Sequence, residues 1–188
     1  MEKVNFINGQ APAINGTNLN QLQTNVENEF GDLSTLSTTD KTSVVNAINE
    51  VSNEIAKTEN WILARLSTAF NAGTTAEHQI KFDTVQSVNG NLLTLENGCI
   101  KVGAGVKAIE VVAQLYFFTG TAGRKTLRIY KNTTDANRKY VTCESYRMFD
   151  ITLFINVSEG DLIKFAAELT SGDIISEANT IIMARVIA

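Results

Sequence analysis

The sequence predicts a mainly β protein, in which a carboxy-terminal β-sandwich follows a helical stalk and an extended amino-terminal arm. Residues 106–118 alternate apolar and polar side chains, as in a strand with one buried face. Asn89-Gly90 and Asn97-Gly98 tolerate positive φ and predict sharp reversals just before that strand. Residues 40–66 carry apolar side chains at heptad spacing. We therefore divide the chain into an arm (1–38), a stalk with its neck (39–77) and a sandwich (78–188).

The arm is predicted to be an extended segment that leads into one short helix. Asn8-Gly9, Pro12 and Asn15-Gly16 interrupt regular structure in its first part. A narrow apolar stripe then follows at helical a/d spacing, with Phe30 near it: Leu19, Leu22, Val26 and Leu33. Because Asn and Gln fill most other positions, such a helix needs a partner to bury its stripe.

The stalk is predicted to be one helix from Asp40 to Leu66, capped by Thr39 or Asp40 and about 40 Å long. Its apolar residues form a candidate trimer seam, interrupted by Thr58: Val44, Ile48, Val51, Ile55 and Ile62. β-branched residues at most a and d positions favour more than two strands in a coiled coil. The alternative is an ordinary amphipathic helix packed on the sandwich. The Gly/Thr-rich residues 70–77 are expected to form a neck.

After the neck, every strongly patterned segment predicts a β-strand. The predicted inward-facing side chains are Ile109, Val111, Ala113, Leu115 and Phe117 in the long strand, Leu127 and Ile129, then Phe149, Ile151, Leu153, Ile155 and Val157, and finally Ile163, Phe165, Ala167 and Leu169. Turn-forming residues separate these strands at 120–123, 132–137, 158–161 and 171–173. Short strands at this spacing predict a sandwich.

The order of these signals resembles the trimeric jelly-roll heads of the complement-subcomponent and tumour-necrosis-factor type. The matching pieces are Phe82-Asp83-Thr84, the words NG and LTLENGCIKVG within 89–103, a strand closed by an EGD turn at 154–161, and the last strand NTIIMARVI at 179–187. The resemblance covers about residues 78–188, and bacterial and bacteriophage versions come closest. It implies a jelly-roll head and a homotrimer.

A second resemblance lies in the first third of the chain. The pattern F-x-N-G-Q-x-P-x-I-N-x-T-N-L-N from Phe6 to Asn20 resembles the amino-terminal segment of tail and fibre proteins of phages that infect Gram-positive bacteria. The sequence of residues 40–66 also resembles segments that are common in phage fibres. This resemblance implies a virion fibre that is assembled in the host cytoplasm. Its arm is expected to attach to other phage virion proteins.

Composition argues against several other classes of protein. The formal net charge of -4 argues against a nucleic-acid partner. The first residues, MEKVNFINGQAP, have no long apolar run, so neither a signal peptide nor membrane insertion is expected. Cys99 and Cys143 lie in predicted strands, where small buried hydrophobes are expected rather than a disulfide framework.

An enzyme is not predicted, because no arrangement of residues points to a reaction. His78 is the single histidine and has no nucleophile motif beside it. No His/Cys pair has zinc spacing and no Asp-rich loop has calcium spacing, so no catalytic residue, cofactor or metal is assigned. Asp135, Glu144 and Asp150 are carboxylates of the kind that can cleave glycans, but the simpler interpretation is a solvated surface.

The expected function is adhesion to the host surface, to a glycan, as a tail fibre or receptor-binding protein. Aromatic and Arg side chains stack on sugars, so the candidate surface-binding residues are Arg124, Lys125, Tyr140, Tyr146 and Arg147. Alternatively, outward tyrosines pack between subunits of the trimer. Alternative functions are a capsid-anchored head fibre or decoration protein and a bacterial complement-like adhesion module.

Overall fold

The computed structural model describes residues 16–31, 33–120, 122–143 and 147–188. Within these ranges the helices are α1 (Gly16–Phe30), a short 3₁₀ turn (Leu33–Thr35) and α2 (Val44–Thr58). Thirteen strands are described: β1 (Trp61–Arg65), β2 (Phe70–Asn71), β3 (Ala76–Ile80), β4 (Thr84–Asn89), β5 (Leu93–Glu96), β6 (Cys99–Val102), β7 (Ala108–Thr119), β8 (Gly123–Lys131), β9 (Thr134–Cys143), β10 (Arg147–Asn156), β11 (Leu162–Leu169), β12 (Ile174–Ile175) and β13 (Ile181–Val186). The chain divides into two compact units, Met1–Asn53 and Glu54–Ala188. The predicted extended arm up to residue 15 lies outside the described residues.

Helix α2 starts at Val44, four residues later than the predicted start at Asp40. The hydroxyl of Ser43 accepts the Asn46 amide at 3.1 Å, so Ser43 is the N-cap. Asp40 instead accepts the Thr42 amide at 2.9 Å in a turn before the helix. The Glu50 carboxylate caps the Thr39 and Asp40 amides, each at 2.8 Å, and so binds this turn to the side of α2.

Asn60 marks the change from helix to strand, which was predicted to follow Leu66. Its side-chain amide donates to the carbonyl of Ala56 at 2.9 Å, and its side-chain oxygen accepts the Leu92 amide at 3.1 Å. Its own carbonyl accepts the Val186 amide at 2.9 Å. Asn60 is buried, and these bonds tie the last turn of α2 to the sandwich. The helix therefore ends at Thr58, because Asn60 uses its polar groups to bridge to the strands instead of continuing the helix.

The assignment of Ile62 to the helical seam is wrong. Ile62 lies in β1, is 1% exposed and belongs to the hydrophobic core of the sandwich. It is paired with Ala184 of β13 on one side and with Val88 of β4 on the other. Residues 61–77, predicted as part of the stalk and neck, thus belong to the sandwich, because β1 lies inside the seven-stranded sheet between β13 and β4, β2 lies at an edge of that sheet, and β3 pairs with β11 of the six-stranded sheet.

The strands form two antiparallel sheets that pack as a sandwich. The seven-stranded sheet has the order β2-β12-β7-β13-β1-β4, with β10 also paired to β7. The six-stranded sheet has the order β5-β6-β11-β8-β9, with β3 also paired to β11. Neighbours in the sheets that are distant in sequence, such as β1 and β13, require the crossing connections of a jelly roll.

The core of the sandwich confirms the predicted strand phase. All five inward-facing residues predicted for the long strand β7, from Ile109 to Phe117, are 0% exposed. The side chains of β8 and β11 that were predicted to face inward are buried as well, at 1% exposure or less. Phe82 and Phe165 stack with ring centroids 6.4 Å apart between the sheets. Burial of a large apolar side chain contributes about 1.5–3 kcal/mol, so this core dominates the stability of the unit.

Two tight turns explain the Asn-Gly pairs near the start of the sandwich. Asn97 and Gly98 have φ of 52° and 78°, as a two-residue type I′ hairpin turn between β5 and β6 requires. Gly90 has a φ of 73°, and a Cβ there would overlap the side-chain amide of Asn60. Glycine at position 90 is therefore required for two reasons: it adopts the positive φ, and its lack of a side chain allows the β4–β5 connection to approach Asn60 at the end of α2.

Candidate surfaces for self-association and adhesion

The apolar side chains along one side of α2 are exposed to solvent in the single chain. Val44, Ile48, Val51 and Ile55 are 37%, 58%, 48% and 56% exposed. We call these four residues the α2 stripe. They are the predicted seam residues that the structure keeps in a helix. Four β-branched apolar side chains at a/d spacing on one exposed helix are typical of a helix that pairs with others.

A shallow apolar groove of ≈ 300 Å³ lies beside the first half of the α2 stripe. Leu36 forms one wall, Val44, Ile48 and Val51 line the other, and the buried Ala47 lies among them. The small side chain of Ala47 leaves room beside larger neighbours. A groove of this size can accept an apolar side chain from another helix, in the manner of a knob in a hole.

The outer face of the seven-stranded sheet carries a second apolar surface, which we call the apolar face. Its middle row runs across three strands from Leu63 through Met183 to Val112, each paired with the next. All three side chains are half-buried in the single chain. The neighbouring row contains the ion pair of Arg185 and Glu110, 2.5 Å apart. An apolar row bordered by paired charges has the composition of a protein interface.

The rim of the apolar face exposes large side chains that are not among the predicted site residues. Phe118, Met148 and Phe154 are 50%, 59% and 64% exposed. Met148 is paired with Tyr116 and Phe154 with Glu110, on the outward phase of β10 and β7. A sequence signal was present, because Phe154 and Met148 occupy positions where the alternation calls for polar residues. Exposed aromatics and methionine at such positions mark a contact surface.

The outer face of the six-stranded sheet is polar, and two candidate surface-binding residues lie together on it. The Arg124 guanidinium lies over the Tyr140 ring, 4.6 Å from its centroid, and Tyr140 is 52% exposed. Along the same face Arg128 forms an ion pair with Glu77, and Arg138 with Asp135. We call this outer surface the polar face. Its aromatic and guanidinium groups provide stacking surfaces and hydrogen-bond donors to solvent.

The assignment of Lys125 as a surface-binding residue is wrong. Lys125 lies on the inward phase of β8 and is 2% exposed. Its ammonium is 2.7 Å from the buried Asp173 carboxylate and also donates to the hydroxyl of Thr170. Asp173 in turn accepts the Thr170 amide at 2.6 Å. Lys125 is therefore a structural cation, since the turn before β12 supplies the partners that a buried charge requires.

The remaining candidates are placed as follows. Arg147 is exposed at the start of β10. Tyr146 lies outside the described residues. Among the residues that the structure describes, no group of three or more His, Cys, Asp or Glu side chains is arranged to hold a metal ion. No described helix is long and apolar enough to cross a membrane.

Comparisons with known proteins identify the fold. No family model and no curated protein matches the chain. Among solved structures, murine APRIL at pH 5.0 matches with a TM-score of 0.56 and 9% identity, covering 68% of this chain and 98% of that chain. The pH 8.0 structure of murine APRIL gives 0.54 and 10% over the same shares. The PRD1 vertex protein P5 scores 0.49 at 21% identity, covering 69% of this chain and 72% of that chain. The two APRIL matches, both with TM-scores above 0.5, show that the sandwich of this protein has a TNF-like jelly-roll fold.

Proposed function

We propose that this protein is a homotrimeric structural fibre of a bacteriophage virion. In this proposal the arm attaches to the particle and the jelly-roll head adheres to glycan on the host surface. The observation that carries the trimer is the exposed α2 stripe. Full burial of a Val or Ile side chain contributes about 1.5–3 kcal/mol, so three helices that bury this stripe against each other gain considerable stability. The β-branched a and d residues favour three helices over two.

The chemistry of the two outer faces of the sandwich supports the same proposal. The apolar face carries Leu63, Val112 and Met183 in one row and exposes Phe154 at its rim. The polar face carries charged and aromatic groups instead. A trimer that buries the apolar face leaves the polar face outside, where it can meet a receptor. The Arg124–Tyr140 pair then lies on the outside, and its geometry suits stacking on a sugar ring.

The proposed place in a virion rests on the resemblance of residues 6–20 and 40–66 to phage fibre sequences. The proposed adhesion rests on that resemblance together with the polar face. A single head binds a glycan weakly. Three heads on a stalk, and many stalks on a particle, raise avidity by ~10²–10⁴ where the geometry allows simultaneous contact. A capsid-anchored head fibre or decoration protein of the same architecture is the second candidate, since its arm would dock in the same way.

The first test measures the trimer and the α2 stripe. Light scattering on the purified chain should give three times 20.5 kDa. Ile48→Asp places three carboxylates in an apolar seam and should dissociate the stalk helices, with a loss of helical circular dichroism. Asn49→Asp is the matched control, because it adds the same charge one residue away from the stripe. If light scattering gives the mass of a monomer for the wild type at every protein concentration, the trimer is refuted. Equal behaviour of the two variants would show that the stripe is not the seam.

The second test separates the roles of the arm and the head. A chain that lacks residues 1–38 should still trimerise but should fail to enter phage particles. Normal incorporation of this shortened chain would show that the arm is not the anchor. The full-length protein should adsorb to host cells and compete with phage infection. A folded trimer that ignores host cells would favour the capsid-decoration alternative over the receptor-binding fibre.

A further inference from the structure

The polar face contains a groove of ≈ 280 Å³ between β3, β11 and β8, at some distance along the strands from the Arg124–Tyr140 pair. Ala166 forms its floor. In the register of the sheet, Ala166 is paired with Gln79 on one side and with Arg128 on the other. A methyl group between two long side chains leaves a depression in an otherwise filled surface. The groove is therefore a direct result of a small residue at an outward position of a central strand.

The walls of the groove carry polar groups that are already oriented. The Tyr130 hydroxyl donates to the Glu77 carboxylate at 2.8 Å, and Arg128 forms an ion pair with the same carboxylate. Gln79 lies opposite and is held by a hydrogen bond from its amide to the Cys99 sulfur at 3.2 Å. Groups fixed in this way lose little conformational entropy when they bind a ligand.

Lys164 gives the groove an unmatched positive charge. It is half-buried, lines the groove and is paired with Tyr130 in the register of the sheet. Within residues 16–31, 33–120, 122–143 and 147–188, the Lys164 ammonium has no hydrogen-bond or ion-pair partner. By contrast, the charge of Glu77 is matched by Arg128. A cation without a partner, next to an aromatic ring and fixed hydrogen-bonding groups, suits a ligand with one negative charge and several hydroxyls.

We infer that this groove binds an acidic saccharide, with the carboxylate or phosphate of the sugar on Lys164, hydroxyls on Glu77 and Gln79, and the ring against Tyr130. Carboxylate and phosphate share this chemistry, and both form charge-assisted hydrogen bonds with an ammonium group. The inference rests on the proposed adhesive function, and it specifies both the ligand class and the site. It differs from stacking on the Arg124–Tyr140 pair, because the anion is recognised in a depression rather than on an exposed ring.

The test uses the full chain and three sugars: D-glucuronate, D-glucose 6-phosphate and D-glucose, titrated by saturation-transfer NMR. The two acidic sugars should bind more tightly than glucose, and their comparison distinguishes a carboxylate from a phosphate ligand. Lys164→Met keeps most of the side chain and should weaken the acidic sugars on the order of tenfold, which removes the preference over glucose. Lys107→Met, at an exposed lysine just before β7, should change nothing. Equal binding of all three sugars by the wild type, or none, overturns the inference.

A second variant tests the depression itself. Ala166→Leu fills the floor of the groove and should abolish binding of the acidic sugars, while Trp61 fluorescence and the urea midpoint report that the sandwich is intact. Unchanged binding by this variant would overturn the site. Adsorption to host cells separates this outcome from failure of the proposed function. If the wild type and Ala166→Leu adsorb equally, the groove is not the adhesive site but adhesion stands. If neither adsorbs, adhesion fails, and the sugar titrations alone decide whether the groove binds.

Discussion

Replacing Lys125 with Met should destabilise the sandwich far more than the same change at an exposed lysine. The Lys125–Asp173 and Lys101–Glu96 pairs have the same N–O distance of 2.7 Å. Their side chains are 3% and 0% exposed in the first pair, and 42% and 44% in the second. Lys125→Met leaves the buried Asp173 carboxylate without its cation, which costs about 3–5 kcal/mol. Lys101→Met breaks a solvated pair and should cost about 0–1 kcal/mol.

The assay is urea unfolding of the full chain followed by fluorescence of Trp61, the single tryptophan, at one fixed protein concentration because association shifts apparent stability. With a slope of about 2 kcal/mol/M, the Lys125→Met midpoint should fall by roughly 1.5–2.5 M, and the Lys101→Met midpoint by less than about 0.5 M. Equal shifts in the two variants would refute the argument that burial determines the value of these pairs. If Lys125→Met is destabilised as expected, a reduction in its glycan binding would reflect loss of the folded state rather than loss of a contact with the glycan.

Two further predictions concern the turn at Thr39 and Asp40, just before α2, and the end of α2. Hydrogen bonds from two backbone amides lower the pKa of Glu50, so the stabilisation from these bonds is complete above the ordinary pKa of 4.5 and is lost as the pH falls through the lowered pKa. Glu50→Gln should therefore remove most of the acid sensitivity of the helical circular dichroism. If the variant shows the same pH profile as the wild type, Glu50 does not cap this turn. Gly90→Ala should cost about 2–4 kcal/mol, because it combines an unfavourable positive φ with displacement of the buried Asn60, whereas Gly73→Ala meets no atom within 4 Å and should cost under about 0.5 kcal/mol. Equal urea midpoints for the two glycine variants would show that Asn60 does not depend on this close approach.

The sequence by itself determined the strand phases and the turns of the sandwich. Alternation in β7 predicted the buried residues from Ile109 to Phe117, because the period of a strand is two and one face must be dry. Asn97-Gly98 predicted a reversal, because both residues tolerate positive φ. These signals are local, so they can be recognised in the sequence without knowing which strands pair with each other. The same local patterns carried the resemblance to a TNF-like jelly roll, which the fold confirms.

Only the tertiary structure decided where the helix ends and which charges are buried. Ile62 continues the heptad spacing of α2, but the hydrogen bonds of Asn60 to Leu92 and Val186 end the helix before it, and these partners are distant in sequence. Lys125 lies in a turn-rich, polar stretch that suggested exposure. It is buried because Asp173, 48 residues away, supplies a carboxylate at the same point of the core. Alternation along one strand indicates two faces, but the partner on the other side of a sandwich determines whether a charged side chain on the inner face can be neutralised there.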